Sequence, residues 1–347
     1  MSAAPALTVA VLSYDGRHLL EQLLPTLAAQ TFADFRTVVV DNGSSDGSAA
    51  WLAERWPDVE VVVLPENVGV TKALNVCARA ADTEFVALLN NDLELDPAAL
   101  DALVEALRAD PGAGSSSPKL VDFHDRAVLD GAGDVLASSG VANRRGHGER
   151  DDGQYDQPEA IFGACGGAAV YRRRALEEVG EFDEAFFAFL EDVDWALRAQ
   201  LAGWSCRYVP QAVVYHMGSA TIGRGLSDFT RYHLWRNGIW LVAKNYPAAA
   251  LLRYGHRVVL AQATNLAVAW WDGTLDIWWR ATRDAGRALP AVLRKRRAVQ
   301  RRRRLGRAEL AGLLGSRTRR VGGRRASARG ARRTGRRARA HAGRPRA

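Results

Sequence analysis

Three carboxylates stand within four residues of one another, at Glu191, Asp192 and Asp194, directly after the apolar run 185–190. Acidic side chains that are crowded together beside apolar ones are costly to ionise, so we expect the pKa of at least one of them to be raised. A carboxylate with a raised pKa is suited to take a proton from a hydroxyl group as a general base. Alternatively, Asp194 and Arg198, four residues apart, form a surface ion pair.

A second group of polar side chains, Asn90, Asn91 and Asp92, follows the apolar stretch 85–89. Divalent cations prefer oxygen ligands, and they often take only one or two from the protein and the rest from phosphates and water. The pattern therefore predicts a cation site with Asp92 and Asn90 directed over the end of a strand. The alternative is an ordinary turn that caps a helix over 97–109.

Two further polar residues follow or end apolar strand-like segments. Asp41 follows the stretch 35–40 and can accept hydrogen bonds from a base or a ribose, although Asp46 or Ser48 could simply cap the next helix. His216 ends another strand-like stretch. A lone histidine is more often structural than a ligand, so His216 gains weight only if other site residues lie near it.

Alternating strands and helices in the first 110 residues must position these side chains. Short apolar runs bounded by polar turns predict strands at 7–12, 35–40, 59–64 and 85–89. Helical spacing of apolar residues predicts helices at 17–29, 48–56 and 70–80. This alternation predicts an α/β fold with a mostly parallel sheet and a Rossmann-like first half. Ligands of such sheets bind at the carboxyl ends of the strands, where Asp41 and Asp92 stand.

The rest of the chain changes in composition along its length. Residues 122–160 are rich in Gly, Asp, Arg and Ser and predict a long loop, with a hairpin inside it as the alternative. A helix is predicted over about 187–202, a strand over 206–216, and further helices over 229–300, which hold six of the ten tryptophans. The expected division is a catalytic domain over 1–228, with halves 1–120 and 121–228, an aromatic-rich helical region over 229–300, and a disordered Arg-rich tail over 301–347 in which 301–314 extends the last helix.

The charge of the chain is unevenly distributed. From Arg294 to the C-terminus there are 22 Lys and Arg against one acidic residue, whereas the first 293 residues hold 25 basic and 38 acidic ones. Such a tail is suited to anionic lipid, with the tryptophan-rich helices at the membrane surface, or to nucleic acid without sequence preference. No base-reading motif is present, so specific nucleic-acid binding is not expected.

The cysteine content and the apolar runs bear on the compartment. The three cysteines, Cys77, Cys165 and Cys206, are far apart in the sequence and form no Cys-x-x-Cys pair. No apolar run reaches the length of about 18 residues that a spanning helix needs. We therefore expect a cytoplasmic location, with peripheral association at the inner face of the cell membrane as a further possibility.

Seven segments, in this order, resemble the family-2 glycosyltransferases with the nucleotide-diphospho-sugar transferase (GT-A) fold. The closest likeness is to bacterial rhamnosyl- and galactofuranosyl-type transferases. The segments are 11–16, 40–47, 66–75, 88–92, 163–173, 180–194 and 213–218. Each segment alone is weak, but their shared order along most of the chain makes chance a poor explanation.

The resemblance, carried over position by position, implies roles for individual residues. Asp192 falls at the family's general base, with Glu191 as the neighbouring acid. Asp92 falls at the metal-binding Asp-x-Asp position, which here begins with Asn90, so the cation would rely on Asp92, the diphosphate and His216. The residues implied to contact the nucleotide-sugar are Ser13, Tyr14, Asp41, Asn67, Lys72, Asn91 and Gly166.

The resemblance also implies a reaction. It is an inverting, metal-dependent transfer of a sugar such as rhamnose or a related hexose, from a UDP- or dTDP-sugar to a glycan or lipid-linked acceptor. The implied cofactor is Mn²⁺ or Mg²⁺. The leaving diphosphate gains negative charge, which a cation and Lys72 can stabilise, and the acceptor hydroxyl must lose a proton to a base. The alternative is an inactive family member that binds glycans, nucleotides or polyanions through its basic tail.

Overall fold

The computed structural model describes residues 5–218 and 227–315, in which one large sheet and a separate hairpin are covered by helices. The strands are β1 (Leu7–Ser13), β2 (Phe35–Asp41), β3 (Glu60–Val63), β4 (Phe85–Asn90), β5 (Leu93–Leu95), β6 (Ala113–Asp122), β7 (Leu129–Gly131), β8 (Asp134–Leu136), β9 (Ala142–Arg144), β10 (Glu159–Ile161), β11 (Ala168–Arg172) and β12 (Ser205–His216). The helices are α1 (Arg17–Ala28), α2 (Ser48–Arg55), α3 (Val70–Ala80), α4 (Ala99–Ala109), α5 (Arg173–Val179), α6 (Glu191–Ala202), α7 (Asp228–Asn245), α8 (Ala248–Trp271), α9 (Leu275–Arg302) and α10 (Arg307–Gly315), with a short 3₁₀ helix at Glu184–Phe186.

The strand order brings most carboxyl ends to one edge of the sheet. The order across it is β10-β12-β6-β11-β4-β1-β2-β3, with β5 beside β12 and β7 beside β6. β1 is parallel to β2 and β4, β2 is parallel to β3, and β12 is parallel to β6. β11 runs antiparallel between β4 and β6, so these two strands point the same way. The expected mostly parallel α/β architecture is confirmed.

Both faces of the sheet are buried, which explains why the strands appear in the sequence as continuous apolar runs. Every residue of β1 is buried. Val9 and Val11 pack with leucines of α1 and α4 on one face, whereas Ala10 packs with α3 on the other. A strand that is covered on both sides cannot alternate between apolar and polar residues.

The segment 122–160 contains the hairpin considered from the sequence, and further short strands make it more regular than the expected long loop. β8 and β9 form an antiparallel hairpin, and β7 joins the main sheet beside β6. The backbone amide of Asp134 also donates a hydrogen bond to Gly163 O at 2.8 Å. The segment therefore packs beside the carboxyl end of β12 and the loop that leads into β11.

The helix expected to begin near residue 187 begins instead at Glu191. Phe187, Phe189 and Leu190 have φ angles of 65°, 66° and 65°. These values lie in the left-handed region, which a right-handed helix of L-residues cannot include. The apolar side chains of this stretch gave a helical pattern, but the backbone is a tight loop.

The described chain beyond β12 is helical, and α7 packs against both α6 and α9. The helix predicted to continue over 301–314 stops at Arg302 and resumes as α10. The rest of the predicted tail lies outside the described residues. Within residues 5–218 and 227–315, no helix is both long and apolar enough to cross a bilayer.

Candidate active site

Polar residues from four strands meet at the carboxyl edge of the sheet. Ser13 and Asp41 end β1 and β2 and lie side by side in the parallel register. Asn90 ends β4 beside β1, and His216 ends β12. Gly167 lies between Asn90 and His216, because a methyl group on Gly167 would stand 3.6 Å from Asn90 Nδ2 and 3.9 Å from His216 Nε2. The strand-end residues singled out from the sequence therefore border one site.

Two turns after β1 and β2 form one side of this site. Asp41 is buried, and its Oδ1 accepts a hydrogen bond from the Ser44 amide at 2.8 Å. Asp15, whose φ is 44°, accepts one from the Ser45 amide at 2.7 Å and so ties the two turns together. These bonds fix the carboxylate of Asp41 at the end of β2, where the sequence predicts a nucleoside contact.

The neighbouring polar residues hold one another in place. Asn91 Nδ2 donates to Ser13 Oγ at 3.0 Å, and both residues are buried. Tyr14 follows Ser13 and is half-buried. Asn67 is exposed, and its Oδ1 accepts a hydrogen bond from Asn42 Nδ2 at 3.1 Å, which links the loop after β3 to the turn after β2. The loops at this edge are thus cross-linked by side-chain amides.

Lys72 and Asp46 lie at exposed positions around the site. Lys72 is in the first turn of α3, and the amide of its neighbour Thr71 donates to Phe187 O at 3.0 Å. The start of α3 therefore adjoins the loop that precedes α6. Asp46 Oδ1 accepts from the Ser48 amide at 3.0 Å, but the N-cap residue of α2 is Gly47, which carries no side-chain cap, so neither Asp46 nor Ser48 is the N-cap considered from the sequence.

Asp92 and His216 form the candidate metal position. His216 Nε2 lies 3.3 Å from Asp92 Oδ2, and Asp92 Oδ1 is buried with no hydrogen-bond partner among the described residues. Leaving a buried carboxylate oxygen unpaired is costly, so an unpaired Oδ1 beside an imidazole nitrogen fits a divalent cation. Within the described residues, no group of three or more His, Cys, Asp or Glu side chains is arranged to hold a metal. A cation here would need phosphate oxygens as further ligands.

His216 is oriented by Asp130 of β7. Asp130 Oδ2 accepts hydrogen bonds from His216 Nδ1 at 2.8 Å and from Arg144 Nη1 at 2.5 Å. Burial opposes ionisation, but His147, His216 and the charge of Arg144 hold the pKa of Asp130 well below its ordinary value. A carboxylate on the far ring nitrogen fixes the orientation and tautomer of a metal-binding histidine.

The same contacts set the charge of His216. Burial alone would lower its pKa, but the hydrogen bonds and charges of Asp130 and Asp92 raise it to about 9. The imidazole is therefore protonated near neutral pH and lies between two carboxylates. Coordination through Nε2 requires this proton to leave, so cation binding at this position is coupled to proton release.

Asp192 lies in the first turn of α6 at the same edge of the sheet. Its Oδ2 accepts a hydrogen bond from the Gly166 amide at 2.9 Å, and its Oδ1 accepts one from the Val193 amide at 2.7 Å. A methyl group on Gly166 would stand 2.7 Å from Asp192 Oδ2, so the close approach requires glycine. Through Gly166 and Gly167 the loop before β11 connects Asp192 to His216.

The acidic groups around Asp192 are poorly neutralised. Burial raises the pKa of both Asp192 and Glu191, and Glu191 Oε2 has no hydrogen-bond partner. Burial and the charge of Asp192 also raise the pKa of Asp134 to about 8, and its Oδ1 accepts a hydrogen bond from Cys165 Sγ at 3.2 Å. The charge of the half-buried Arg144 compensates in part. The raised carboxylate pKa expected from the sequence is thus present.

Asp194 faces away from this group and is fully buried, so the surface ion pair considered from the sequence is wrong in its location. Asp194 Oδ2 lies 2.9 Å from Arg198 Nε, and Oδ1 lies 2.7 Å from both Lys244 Nζ and Asn245 Nδ2. Burial opposes ionisation, but the charges of Lys244 and Arg198 lower the pKa of Asp194. This carboxylate joins α6 to α7.

Helix α7 also holds the loop that precedes α6. Asn237 is fully buried, and its Nδ2 donates to the carbonyl oxygens of Phe186, Ala188 and Phe189 at 3.1, 2.9 and 2.8 Å. Arg236 Nη2 donates to Phe186 O at 2.9 Å. Each of the left-handed residues in this loop costs about 1–3 kcal/mol, so the loop needs such external bonds. They fix the point where α6 and its acidic first turn begin.

Sequence reasoning missed four residues of this arrangement. Asp130, Asp134 and Arg144 lie in the segment 122–160, whose polar composition is typical of a loop. Asn237 lies in a helix and follows an arginine, which is an unremarkable context. The density of Asp and Arg in 122–160 was the one available signal, because buried charges of both signs must pair.

Known proteins share both the sequence pattern and this architecture. The family described as "Glycosyl transferase family 2" matches residues 8–180. An N-acetylglucosaminyl-diphospho-decaprenol L-rhamnosyltransferase of Mycobacterium tuberculosis is 28% identical over 282 residues, covering 75% of this chain and 92% of that protein. The chain belongs to the family-2 glycosyltransferases.

Solved structures give the fold of this glycosyltransferase. The mannosyltransferase PcManGT from Pyrobaculum calidifontis, solved with GDP-Man and Mn²⁺, is similar with a TM-score of 0.53 at 21% identity, covering 91% of this chain and 89% of that one. GalNAc-T7, solved with UDP, GalNAc and Mn²⁺, is similar with a TM-score of 0.57 at 15% identity, covering 70% of this chain and 48% of that one. The expected GT-A fold is confirmed.

The predicted site residues of this glycosyltransferase fall into two groups. Asp92, His216, Gly166 and Asp192 are linked by direct contacts or through the adjacent Gly167. The residues predicted for the nucleotide-sugar lie in the turns after β1, β2 and β3, at the end of β4 and at the start of α3, and are Ser13, Tyr14, Asp41, Asn67, Asn91 and Lys72. The roles of both groups are taken up as proposals.

Proposed function

We propose that this glycosyltransferase transfers rhamnose or a related hexose, with inversion, from a UDP- or dTDP-sugar to a glycan or lipid-linked acceptor. The observation that carries the proposal is the setting of Asp192. It is a half-buried carboxylate with a raised pKa, fixed by two backbone amides, at the same sheet edge as Asp92 and His216. An inverting displacement needs a base and a site for the leaving diphosphate on opposite sides of the sugar.

Asp192 is the general base of the proposed step. The oxygen of the acceptor hydroxyl forms a bond to the anomeric carbon while its proton passes to the Asp192 carboxylate, and the bond from that carbon to the diphosphate breaks. A raised pKa makes the carboxylate a better proton acceptor than an ordinary aspartate. The Gly166 and Val193 amides hold both carboxylate oxygens in position before the acceptor arrives.

Asp92 and His216 would hold a divalent cation, Mn²⁺ or Mg²⁺, with Asp92 Oδ1 and His216 Nε2 as the ligand atoms. Such a cation supplies positive charge that stabilises a leaving diphosphate. The unpaired Asp92 Oδ1 supports this assignment, as does the Mn²⁺ bound in both solved relatives. Asp130 keeps the His216 ring directed at Asp92, and the exposed Lys72 would add a positive charge from the start of α3.

The acceptor class is proposed from the mycobacterial relative. The name of that protein gives L-rhamnose as the transferred sugar and a diphospho-decaprenol-linked sugar as the acceptor. A lipid-linked acceptor places the enzyme at the inner face of the cell membrane, with residues 229–347 against an anionic surface. We assign the choice of sugar to the surroundings of 163–167 and the choice of acceptor to the segment 122–160.

Nucleotide binding tests the donor half of the proposal. Thermal unfolding is measured with UDP, dTDP and GDP and their sugars, each with and without Mn²⁺ or Mg²⁺. A ligand at 100 times its Kd stabilises a fold by about 2.7 kcal/mol, so one nucleotide should raise the Tm by several degrees in a cation-dependent way. Asp92→Ala should lose the cation-dependent part, whereas Asp58→Ala, at an exposed turn, should keep it.

The products of the reaction test the chemical half. With the donor found in the binding screen, the transferred sugar should have the opposite anomeric configuration, as read by proton NMR of the product. A retained configuration would overturn the inverting assignment. The absence of any Tm shift with all three nucleotides would overturn the proposed donor class.

A further inference from the structure

Helix α8 presents an apolar face to solvent. Of its 24 residues only Ala250, Tyr254 and Ala269 are buried. The large apolar residues that it exposes, with their exposed fractions, include Leu252 at 89%, Val259 at 70%, Leu260 at 67%, Leu266 at 39% and Trp270 at 69%. A surface helix of a protein in water normally turns its polar side outward, whereas α8 has apolar residues on its outward side as well as on its packed side.

The exposed residues named above form one stripe along the helix. At 3.6 residues per turn, positions 252, 259, 266 and 270 fall on the same side of the helix, and Leu260 flanks them. The exposed His256 and Ala263 lie between them on the same side, so His256 is the polar residue within the stripe. A stripe from residue 252 to residue 270 is about 27 Å long. Exposed apolar surface of this extent marks an interaction site rather than scattered surface hydrophobicity.

The charges and tryptophans around the stripe identify its partner. Helix α8 contains no Asp or Glu, and α8 and α9 together hold eleven Lys and Arg against two Asp. Trp271 is 83% exposed beside Trp270, and Trp279 of α9 is 62% exposed. Tryptophan favours the boundary between lipid headgroups and acyl chains, and basic residues favour anionic headgroups.

We propose that α8 lies flat in the surface of an anionic lipid bilayer, with the stripe from Leu252 to Trp270 among the acyl chains and the basic residues against the headgroups. This inference deepens, and rests on, the proposed lipid-linked acceptor. The described helices include none that could cross the bilayer, so α8 lies on the membrane rather than through it.

Two other occupants of the stripe are less suited to it. A second copy of the chain would bring two sets of basic flanks together, and like charges repel. The segment 316–347 contains one large apolar residue, Val321, among its arginines, so it does not supply the side chains to cover an apolar stripe.

The test is co-sedimentation of the full chain with vesicles of phosphatidylcholine containing about 30 mol% phosphatidylglycerol, in low salt and in about 0.5 M NaCl. Salt screens the attraction of the Arg-rich tail, so binding that persists at high salt reports apolar insertion. The triple variant Leu252→Gln/Val259→Gln/Leu260→Gln should bind at least tenfold more weakly at high salt. Glutamine is a good helix former, so α8 should persist.

A matched pair of single variants controls for the substitution itself. Val259→Gln on α8 should weaken high-salt binding several-fold, whereas Val63→Gln, on the edge strand β3 and 57% exposed, should not change it. The variant Trp270→Phe/Trp271→Phe keeps aromatic side chains at both positions, and it should lose most of the tryptophan quenching that brominated lipids cause. Unchanged vesicle binding by the triple variant at high salt would overturn the proposal.

Sedimentation without lipid separates the remaining outcomes. If the wild type is a dimer and the triple variant is a monomer, the stripe binds a second copy of the chain. That result would overturn the proposed binding of α8 to a bilayer. None of these measurements uses a donor or an acceptor. A chain that binds vesicles through α8 but no nucleotide would overturn the proposed function alone, and a chain that binds nucleotide but no vesicles would overturn this inference alone.

Discussion

The first turn of α6 has two sides with opposite electrostatics. On the side of the sheet edge, Glu191 and Asp192 are buried or half-buried with raised pKa values. On the side of α7, Asp194 is fully buried with a lowered pKa, because it lies against Lys244 and Arg198. These carboxylates share one helix N-terminus and differ only in what the rest of the chain places against them.

Helix α6 therefore has a carboxylate that stabilises the fold on one side and a poorly stabilised carboxylate on the other. The cations that neutralise Asp194 come from α6 and α7, and they hold the C-terminal helices to the body. Asp192 accepts hydrogen bonds from two backbone amides and forms no ion pair with any residue that the structure describes, so its charged form is poorly stabilised at an energetic cost to the fold. Groups with strained electrostatics of this kind cluster at functional sites.

Asp192→Asn should have the largest effect on activity of the substitutions on α6. Loss of a general base lowers transfer about 10²–10⁴-fold, and the amide cannot replace the carboxylate as a proton acceptor. Because the substitution removes a poorly neutralised acid, the Tm should stay constant or rise, and nucleotide binding should persist. Initial rates and thermal unfolding of the same preparation check both parts. Full activity in Asp192→Asn would remove Asp192 from the proposed role.

Asp194→Asn should give the reverse result. Removing one partner of a buried ion pair leaves Lys244 without its full counter-charge and costs about 3–5 kcal/mol of unfolding free energy. Transfer per folded molecule should change little, because Asp194 faces away from the site. Urea unfolding and rates normalised to the folded fraction measure this. A variant as stable as wild type would show that the buried pair contributes nothing to the attachment of α7.

The same contrast between paired and unpaired carboxylates appears at the metal position. Asp130→Asn keeps the shape but weakens the hold on His216, and changes around a metal ligand typically cost 10–100-fold in metal affinity. We expect the Mn²⁺ concentration needed to stabilise the nucleotide complex to rise by a factor of that size. Asp134→Asn is the matched control, since its raised pKa of about 8 means that the fold already favours the neutral form. Equal effects of the two substitutions would argue against Asp130 as the residue that orients His216.

Asn237→Ala is expected to have a smaller effect, which lowers both the unfolding free energy and kcat. The substitution removes hydrogen bonds to three carbonyl groups of the strained loop, and a buried polar group that loses its partner costs about 1–3 kcal/mol. Since the loop sets where α6 begins, kcat should fall about tenfold with little change in nucleotide affinity. Asn265→Ala on α8 serves as the control. A fall in stability alone would make Asn237 structural only.

The sequence predicted the parts of this molecule that are held by local contacts. The turn residues Asp41 and Ser44 are three positions apart, and their hydrogen bond follows from strand-end patterns. The second half depends on distant partners, such as His216 and Asp130, which are 86 residues apart, and on Asn237, about 50 residues beyond the loop that it holds. No local pattern specifies such pairs. For the same reason the helix start at Glu191 was missed, because the left-handed loop before it is imposed from α7.

The two sides of α6 should also separate along the pH axis. Below its raised pKa, Asp192 is protonated and cannot accept a proton, so kcat/KM falls as the pH drops through that value. Its protonated form is favoured by the fold, so protonation of Asp192 stabilises rather than unfolds the protein. Asp194 behaves in the opposite way, because its pKa is lower in the folded than in the unfolded chain. Its charged form therefore stabilises the fold fully at pH values above the unfolded pKa. This stability is lost as the pH falls through the lowered pKa.

The enzyme should therefore pass through a pH range in which it is folded but inactive. Glu191 and Asp192 are close enough to share their titration, so the acid limb of kcat/KM belongs to the pair and lies above the ordinary aspartate value of 3.8. The fall in Tm should occur at lower pH than this limb, and Asp194→Asn should move the Tm curve while leaving the acid limb of kcat/KM in place. If activity and Tm fall together in the wild type, loss of structure rather than protonation of the base would explain the acid limb.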